Sequence, residues 1–183
     1  MSILERSGSM VVEVPAGQFR QAMRELAGAV SVVTVGNAGD RTGFVATSVA
    51  SFSAEPPRLI LCVDRSSSSG HALTRFGRFG VNFMRETDAA IANRFAGFGG
   101  IKSNDRYQGA EWMTLPSGTQ VLKDALASID CTIEETLDRH DHSIVLGKVE
   151  SIRVCDQGKP LLWFQSGYHH LGEPLAASGY PEK

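Results

Sequence analysis

Short strand-like runs, each closed by turn chemistry, set the limits on what this chain can fold into. Ser31-Val32-Val33-Thr34-Val35 is a strand by its β-branched content, and Asn37-Ala38-Gly39-Asp40 behind it is hairpin chemistry. A return strand from about residue 41 leads toward a small-residue stretch. The apolar run Leu59-Ile60-Leu61-Cys62-Val63 follows a Pro56-Pro57 corner, and Gly80-Val81-Asn82-Phe83-Met84 is a further strand. Two long segments, about 125–138 and 143–155, flank the polar turn Asp138-Arg139-His140-Asp141-His142. Pro160-Leu161-Leu162-Trp163-Phe164 comes last, before Tyr168-His169-His170. Strands joined mostly by hairpins, with nineteen glycines against seven prolines, point to a mainly β chain. They favour an antiparallel barrel over a doubly wound sheet.

Helical signals are few. Phe19, Met23, Leu26 and Ala27 are spaced to form one apolar stripe, with Gly28 to end that helix. A short helix is expected at about 71–76. Thr87 is placed to cap another, with Asp88 near its positive end and Ile91 and Phe95 one turn apart. Residues 97–118 are glycine-rich and irregular, a length of loop that is usually functional or mobile. No repeat or linker divides the 183 residues, so one domain is expected over 16–172. Residues 1–15 read as a leader whose strand-like Val11–Val14 stops at Pro15, and 173–183 as a disordered or partner-dependent tail.

Composition excludes several classes. A formal charge of -2 with no block of Lys or Arg argues against nucleic-acid binding. No apolar run is long enough to span a bilayer, and the first ten residues, with Glu5 among them, are no signal peptide, so a cytoplasmic protein is expected. Cys62, Cys131 and Cys155 are too far apart for a zinc ribbon and odd in number for a disulfide framework; buried reduced thiols are expected. His140 and His142 form an H-x-H pair, with His169 and His170 as further donors. Without a carboxylate or cysteine at ligand spacing no metal site is expected. No G-x-S-x-G elbow occurs, and Met10, Trp112 and Trp163 read as packing residues.

The most informative stretch for function runs from Gly43 to Gly70. Its small, hydroxyl-bearing start, Ala46-Thr47-Ser48-Val49-Ala50-Ser51, would let a flat ligand approach the backbone and bond main-chain N–H and C=O groups. Its end, four consecutive serines before His71-Ala72-Leu73, suits a phosphate, because hydroxyls and the unpaired amides of a first helical turn point the same way. Lys102 and Arg106 lie in the glycine-rich loop, where a solvated position is the ordinary reading and a reach to that phosphate the sharper one.

Taken in order from about Gln18 to Leu171, these pieces resemble the short-chain flavin reductases. These are NAD(P)H:flavin oxidoreductases that supply reduced flavin to partner monooxygenases. Phe19-Arg20 and Ala27-Gly28-Ala29-Val30-Ser31-Val32-Val33-Thr34 match the family's start. Gly43-Phe44-Val45-Ala46-Thr47-Ser48, with Phe52-Ser53 and Pro56-Pro57, match its flavin-ring tract. Phe79-Gly80-Val81-Asn82-Phe83-Met84 matches its central strand. Asp141-His142, with the strand to Val149, is similar to its Gly-Asp-His motif, His140 standing where the motif has glycine. Pro160–Phe164 through Gly167-Tyr168 is similar to its closing signature.

The resemblance implies a mainly β split barrel, Greek-key and of the FMN-binding type, with a few flanking helices. It implies a homodimer holding FMN or FAD partly at the subunit interface, with NADH or NADPH as hydride donor and a flavin-dependent monooxygenase as partner. By position, Ala46, Thr47, Ser48 and Val49 would line the isoalloxazine ring, and Asp64, Ser66, Ser67, Ser68 and Ser69 would meet the ribityl chain and phosphate. Phe83, Met84 and Arg85 would sit beside the flavin, Arg85 otherwise pairing with Glu86 or Asp88. His142, as the catalytic residue, would orient the nicotinamide, with Tyr168 near it. The same resemblance leaves two alternatives: a flavin-bound reductase of a corrinoid (cob(II)yrinic acid a,c-diamide reductase type) or ferric chelate, and a non-catalytic flavin- or haem-binding split barrel.

Overall fold

The computed structural model describes residues 13–155 and 157–173. Its helices are α1 (Ala16–Met23), α2 (Ser68–Phe76) and α3 (Ala89–Ala96). Its strands are β1 (Gly28–Ala29), β2 (Ser31–Asn37), β3 (Asp40–Ala46), β4 (Ala50–Ala54), β5 (Pro57–Asp64) and β6 (Arg78–Phe83), then β7 (Trp112–Thr114), β8 (Gln120–Leu122), β9 (Ala127–Arg139), β10 (His142–Val154), β11 (Leu161–Phe164) and β12 (Gly167–His170). Seven strands form one antiparallel sheet in the order β3-β2-β6-β9-β10-β5-β4. No ladder joins the outer strands β3 and β4, so the curled sheet is a split barrel, mainly β with flanking helices.

Alternation along the strands divides the core in two. Val33 and Val35 of β2, Leu59, Leu61 and Val63 of β5, Phe79 and Val81 of β6, and Cys131 and Val145 fill one cluster inside the curl. Val30, Val32, Met84, Ile91, Phe95, Tyr107 and Leu122 fill another, where α3 and the loop after it cover the sheet's other face. Ser31–Val35 is therefore buried on both faces, which is why the run reads as almost continuously apolar.

The hairpin at Asn37–Asp40 forms as its chemistry predicts, the Asn37 side chain accepting from the amides of Gly39 (3.2 Å) and Asp40 (3.3 Å). The β9–β10 turn narrows to His140 and Asp141. His140 holds φ 50°, a left-handed conformation that histidine tolerates better than most non-glycine residues. The turn thus survives the loss of the motif glycine.

Other expectations need correction. Helix α1 ends at Met23, and Gly28 opens strand β1, paired with Trp163 of β11, instead of ending a helix. The expected apolar stripe faces outward, with Phe19, Met23 and Leu26 all exposed. Helix α2 starts three residues earlier than expected, because Ser67 caps it. Thr87 caps nothing: Arg85 precedes a 3-10 turn at Glu86–Asp88, and the Asp88 carboxylate accepts from the Arg85 amide (2.9 Å). The glycine-rich segment is irregular as expected, with short 3-10 turns at Phe98–Gly100 and Ser103–Tyr107 before β7. Of the cysteines only Cys131 is fully buried, which pushes its thiol up to about 12. Cys155 is half-buried, and Cys62 is exposed because it points out of β5 between the inward Leu61 and Val63. Glu13 and Val14 are not in a strand. The expectations for Val11, Val12 and residues 174–183 lie outside the described residues.

Candidate functional site

The split in the barrel falls where the small-residue tract crosses from β3 to β4. Ala46 is the last paired residue of β3 and Ala50 the first of β4, so Thr47, Ser48 and Val49 cross the gap with no ladder partner. Ser48 pins the crossing: its hydroxyl accepts from the Cys62 amide (3.1 Å) and donates to the Cys62 carbonyl (3.4 Å). Gly28 lets β1 lie close behind, since a β-carbon there would stand 3.1 Å from that of Thr47. Backbone free of a ladder and flanked by small residues can bond a flat ring edge-on.

Beside this seam lies a cavity of about 460 Å³. Val30, Phe44, Val45 and Thr47 form one wall, and Ser67, Ser68 and Ser69 stand at one part of its rim. Trp163 and Tyr168, packed edge to face with centroids 5.0 Å apart, form another wall, and burial raises the Tyr168 phenol. Phe95, Phe98 and Arg106 complete it from α3 and the glycine-rich segment.

The serines have separate tasks. Ser66 donates from its hydroxyl (2.7 Å) and amide (2.8 Å) to the Asp64 carboxylate, and the side-chain bond is the chief reason that carboxyl sits below its ordinary range. Ser67 caps α2, accepting from the Gly70 amide (2.9 Å) and donating to the Asp64 carbonyl (2.7 Å). Ser69, almost fully buried, donates to the Gly43 carbonyl (2.9 Å). The cap fixes the end of α2 so that the amides of Ser68 and Ser69, which have no helical acceptor, stand at the cavity rim. The volume, the aromatic walls and this amide-bearing end fit a flavin mononucleotide, whose ring is flat and whose tail is anionic.

Of the residues expected at the site, Thr47, Ser67, Ser68, Ser69 and Tyr168 line this cavity together. Ala46 is buried in the barrel core immediately before the seam, and Val49 and Phe83 turn into a separate apolar cavity of about 370 Å³. Met84 is 1% exposed and packs in the outer core, so its side chain is structural. Arg85 pairs with Asp88 (3.5 Å) and Asp124 (3.9 Å) and does not reach the cavity. His142 also stands off it, as the first residue of β10, with Asp64 of β5 on one side and Arg139 of β9 on the other. Its Nδ1 lies 2.9 Å from the Asp141 carboxylate, and that hydrogen bond is the leading cause of the lowered Asp141 pKa. Phe98 and Trp163 were not expected at the site. Trp163 reads as packing in the sequence, and an aromatic between glycines was the one signal for Phe98.

Fold and site together define the class of the split-barrel flavin reductases. The chain belongs to that family: the flavin reductase like domain matches residues 23–172. An FMN reductase (NADH), RutF, of Methylorubrum extorquens is 37% identical over 168 residues, covering 90% of this chain and 80% of that protein. The 4-hydroxyphenylacetate 3-monooxygenase reductase component of Pseudomonas aeruginosa is 34% identical over 160 residues, covering 87% of this chain and 94% of its own. Among solved structures, a flavin reductase domain protein of Arthrobacter sp. FB24 matches with a TM-score of 0.78 at 32% identity, over 88% of this chain and 98% of that one.

Proposed function

We propose that this protein transfers hydride from NADH to FMN and releases the reduced flavin to a partner monooxygenase. The observation that carries the reading is the unladdered seam at Thr47–Val49 opening beside a cavity whose rim is the capped end of α2. Bound flavin supplies the hydride acceptor, so the chain needs no acid–base pair of its own. Its residues bind and orient. The seam's main chain meets the ring edge, the first turn of α2 takes the phosphate, and Trp163 and Tyr168 wall the site against water. His142, fixed by Asp141, orients the nicotinamide from the hairpin tip. The name of one relative, the FMN reductase (NADH) RutF, supports FMN and NADH as the pair.

The test is steady-state oxidation of NADH and NADPH with each of FMN and FAD. Turnover should be fastest with NADH and FMN, and no turnover with any pair would defeat the reading. His142→Ala should raise KM for NADH about five- to tenfold, the worth of one orienting hydrogen bond, with KM for FMN unchanged. Equal loss for both substrates would count against that role.

The working unit in this reading is a homodimer in the cytoplasm. In the described residues no helix is long and apolar enough to cross a membrane. Phe52, Ile152 and Val154 are more than half exposed, and Ile152 borders the apolar cavity that Val49 and Phe83 enter. Apolar surface of this kind is normally covered. Light scattering should return twice the 19.7 kDa chain mass, and a monomer at micromolar concentration would count against the dimer.

A further inference from the structure

Across residues 97–100, which follow α3, only Phe98 carries a side chain. Gly97 ends the helix at φ 81°, and Gly99 and Gly100 hold φ 70° and 75°. The Gly100 amide donates to the Gly97 carbonyl (3.1 Å) and closes the turn. A β-carbon at Gly99 or Gly100 would meet nothing within 4 Å, so the turn stands clear of other elements at these two positions. The Phe98 ring lines the 460 Å³ cavity, yet it is 59% exposed. The cavity's other aromatics are held by protein: Phe44 packs on the inner core, Phe95 against Tyr107 and Trp112, and Trp163 against Tyr168. Among the described residues Phe98 belongs to neither core cluster and has no aromatic or cationic partner.

A lone exposed phenylalanine on an open surface is ordinary, but this one walls a concave site. A flat aromatic ring gains most there by stacking, offset, on another flat ring. We propose that Phe98 stacks on the isoalloxazine ring of the bound flavin and sets how long the flavin stays, which makes it a specificity-determining residue for the ring. The proposal rests on the flavin reading above and adds to it a contact with the ring. Glycines on both sides of Phe98 leave a ligand room to lie flat against it. The flavin offers an edge and two faces. The seam takes the edge, one face stays open to the nicotinamide, and Phe98 takes the other.

The test measures equilibrium binding and stopped-flow release of FMN and riboflavin, which share the ring and differ by the phosphate. Phe98→Ala should weaken both by the same factor, about three- to tenfold, read as faster release. Phe98→Trp should bind both at least as tightly as unmodified protein. Phe98→Leu, apolar but without an aromatic face, should recover little of the loss. In turnover, Phe98→Ala should raise KM for FMN while KM for NADH at saturating FMN stays within about twofold, because the nicotinamide uses the other face. Unchanged flavin affinity in Phe98→Ala or Phe98→Leu overturns the proposal, as does a loss confined to FMN or a larger rise in KM for NADH. The ring lies outside both cores, so the urea midpoint should hold. Should it fall, the ring protons of Phe98 in unmodified protein decide: they should shift with riboflavin as with FMN, and no shift with either overturns the proposal. Unmodified protein that binds neither flavin defeats the flavin reading itself, and this proposal with it.

Discussion

Replacing Asn82 with alanine is expected to cost about 3–5 kcal/mol of stability, more than most single changes in this chain. Asn82 is fully buried in β6, and its side chain makes three hydrogen bonds. Its amide donates to the Val32 carbonyl (3.0 Å), and its oxygen accepts from the Leu122 amide (2.7 Å) and the Ser128 hydroxyl (3.0 Å). These bonds tie β2, β8 and β9 to one point on the outer face of the sheet, beneath the two-stranded ribbon of β7 and β8. Alanine leaves the Leu122 N–H and the Val32 carbonyl without the partner they have now, in a place water does not reach. Each such group costs about 1–3 kcal/mol, and the lost side chain leaves a void besides. Urea unfolding should show a lower midpoint with an unchanged slope. A loss below about 1 kcal/mol would mean that the ribbon relaxes and the three bonds are not a unit.

The antiparallel character of the fold can be read from the chain because its signals are local. A run of β-branched residues before Asn37-Ala38-Gly39-Asp40 specifies a strand and a tight turn within ten residues. The split position was also present locally, in small residues that form no further ladder at Thr47–Val49. Cys62 could have been placed outward from its neighbours: with Leu59, Leu61 and Val63 on the core face, period two leaves position 62 to solvent. What could not be read depends on distant partners. Strands β1 and β12 are two and four residues long and form only because β11 runs between them. Met84, the last residue of the matched strand, turns into the outer core, which nothing in residues 79–84 dictates, whereas the pairing of Arg85 with Asp88 is the local alternative its neighbours offered. Arg106 is held at the cavity by the carbonyls of Gly43, 63 residues earlier, and Phe95.

Gly43→Ala should therefore damage stability and flavin binding together. A β-carbon at position 43 would lie against the Val33 carbonyl of the paired strand and 2.6 Å from the Phe95 ring. Neither neighbour yields easily, since the carbonyl belongs to β2, paired on both sides, and Phe95 is 1% exposed, wedged against Tyr107 (5.0 Å) and Trp112 (5.4 Å). Overpacking of this kind costs about 1–3 kcal/mol. The Gly43 carbonyl is also the acceptor on which Ser69 and Arg106 converge, and Phe95 is a wall of the cavity. A shift of β3 or α3 that relieves the clash therefore misaligns the phosphate end, and FMN affinity of the folded fraction should fall about tenfold. Gly147→Ala separates the two effects. There a β-carbon would lie 2.6 Å from the tip of Phe79 and 3.3 Å from Cys131, inside the barrel and on no wall of the cavity. It should lose comparable stability in urea while binding FMN within about twofold of the unmodified protein. If both variants lose FMN equally, affinity is following global stability. If neither does, the convergence on Gly43 does not position the ligand.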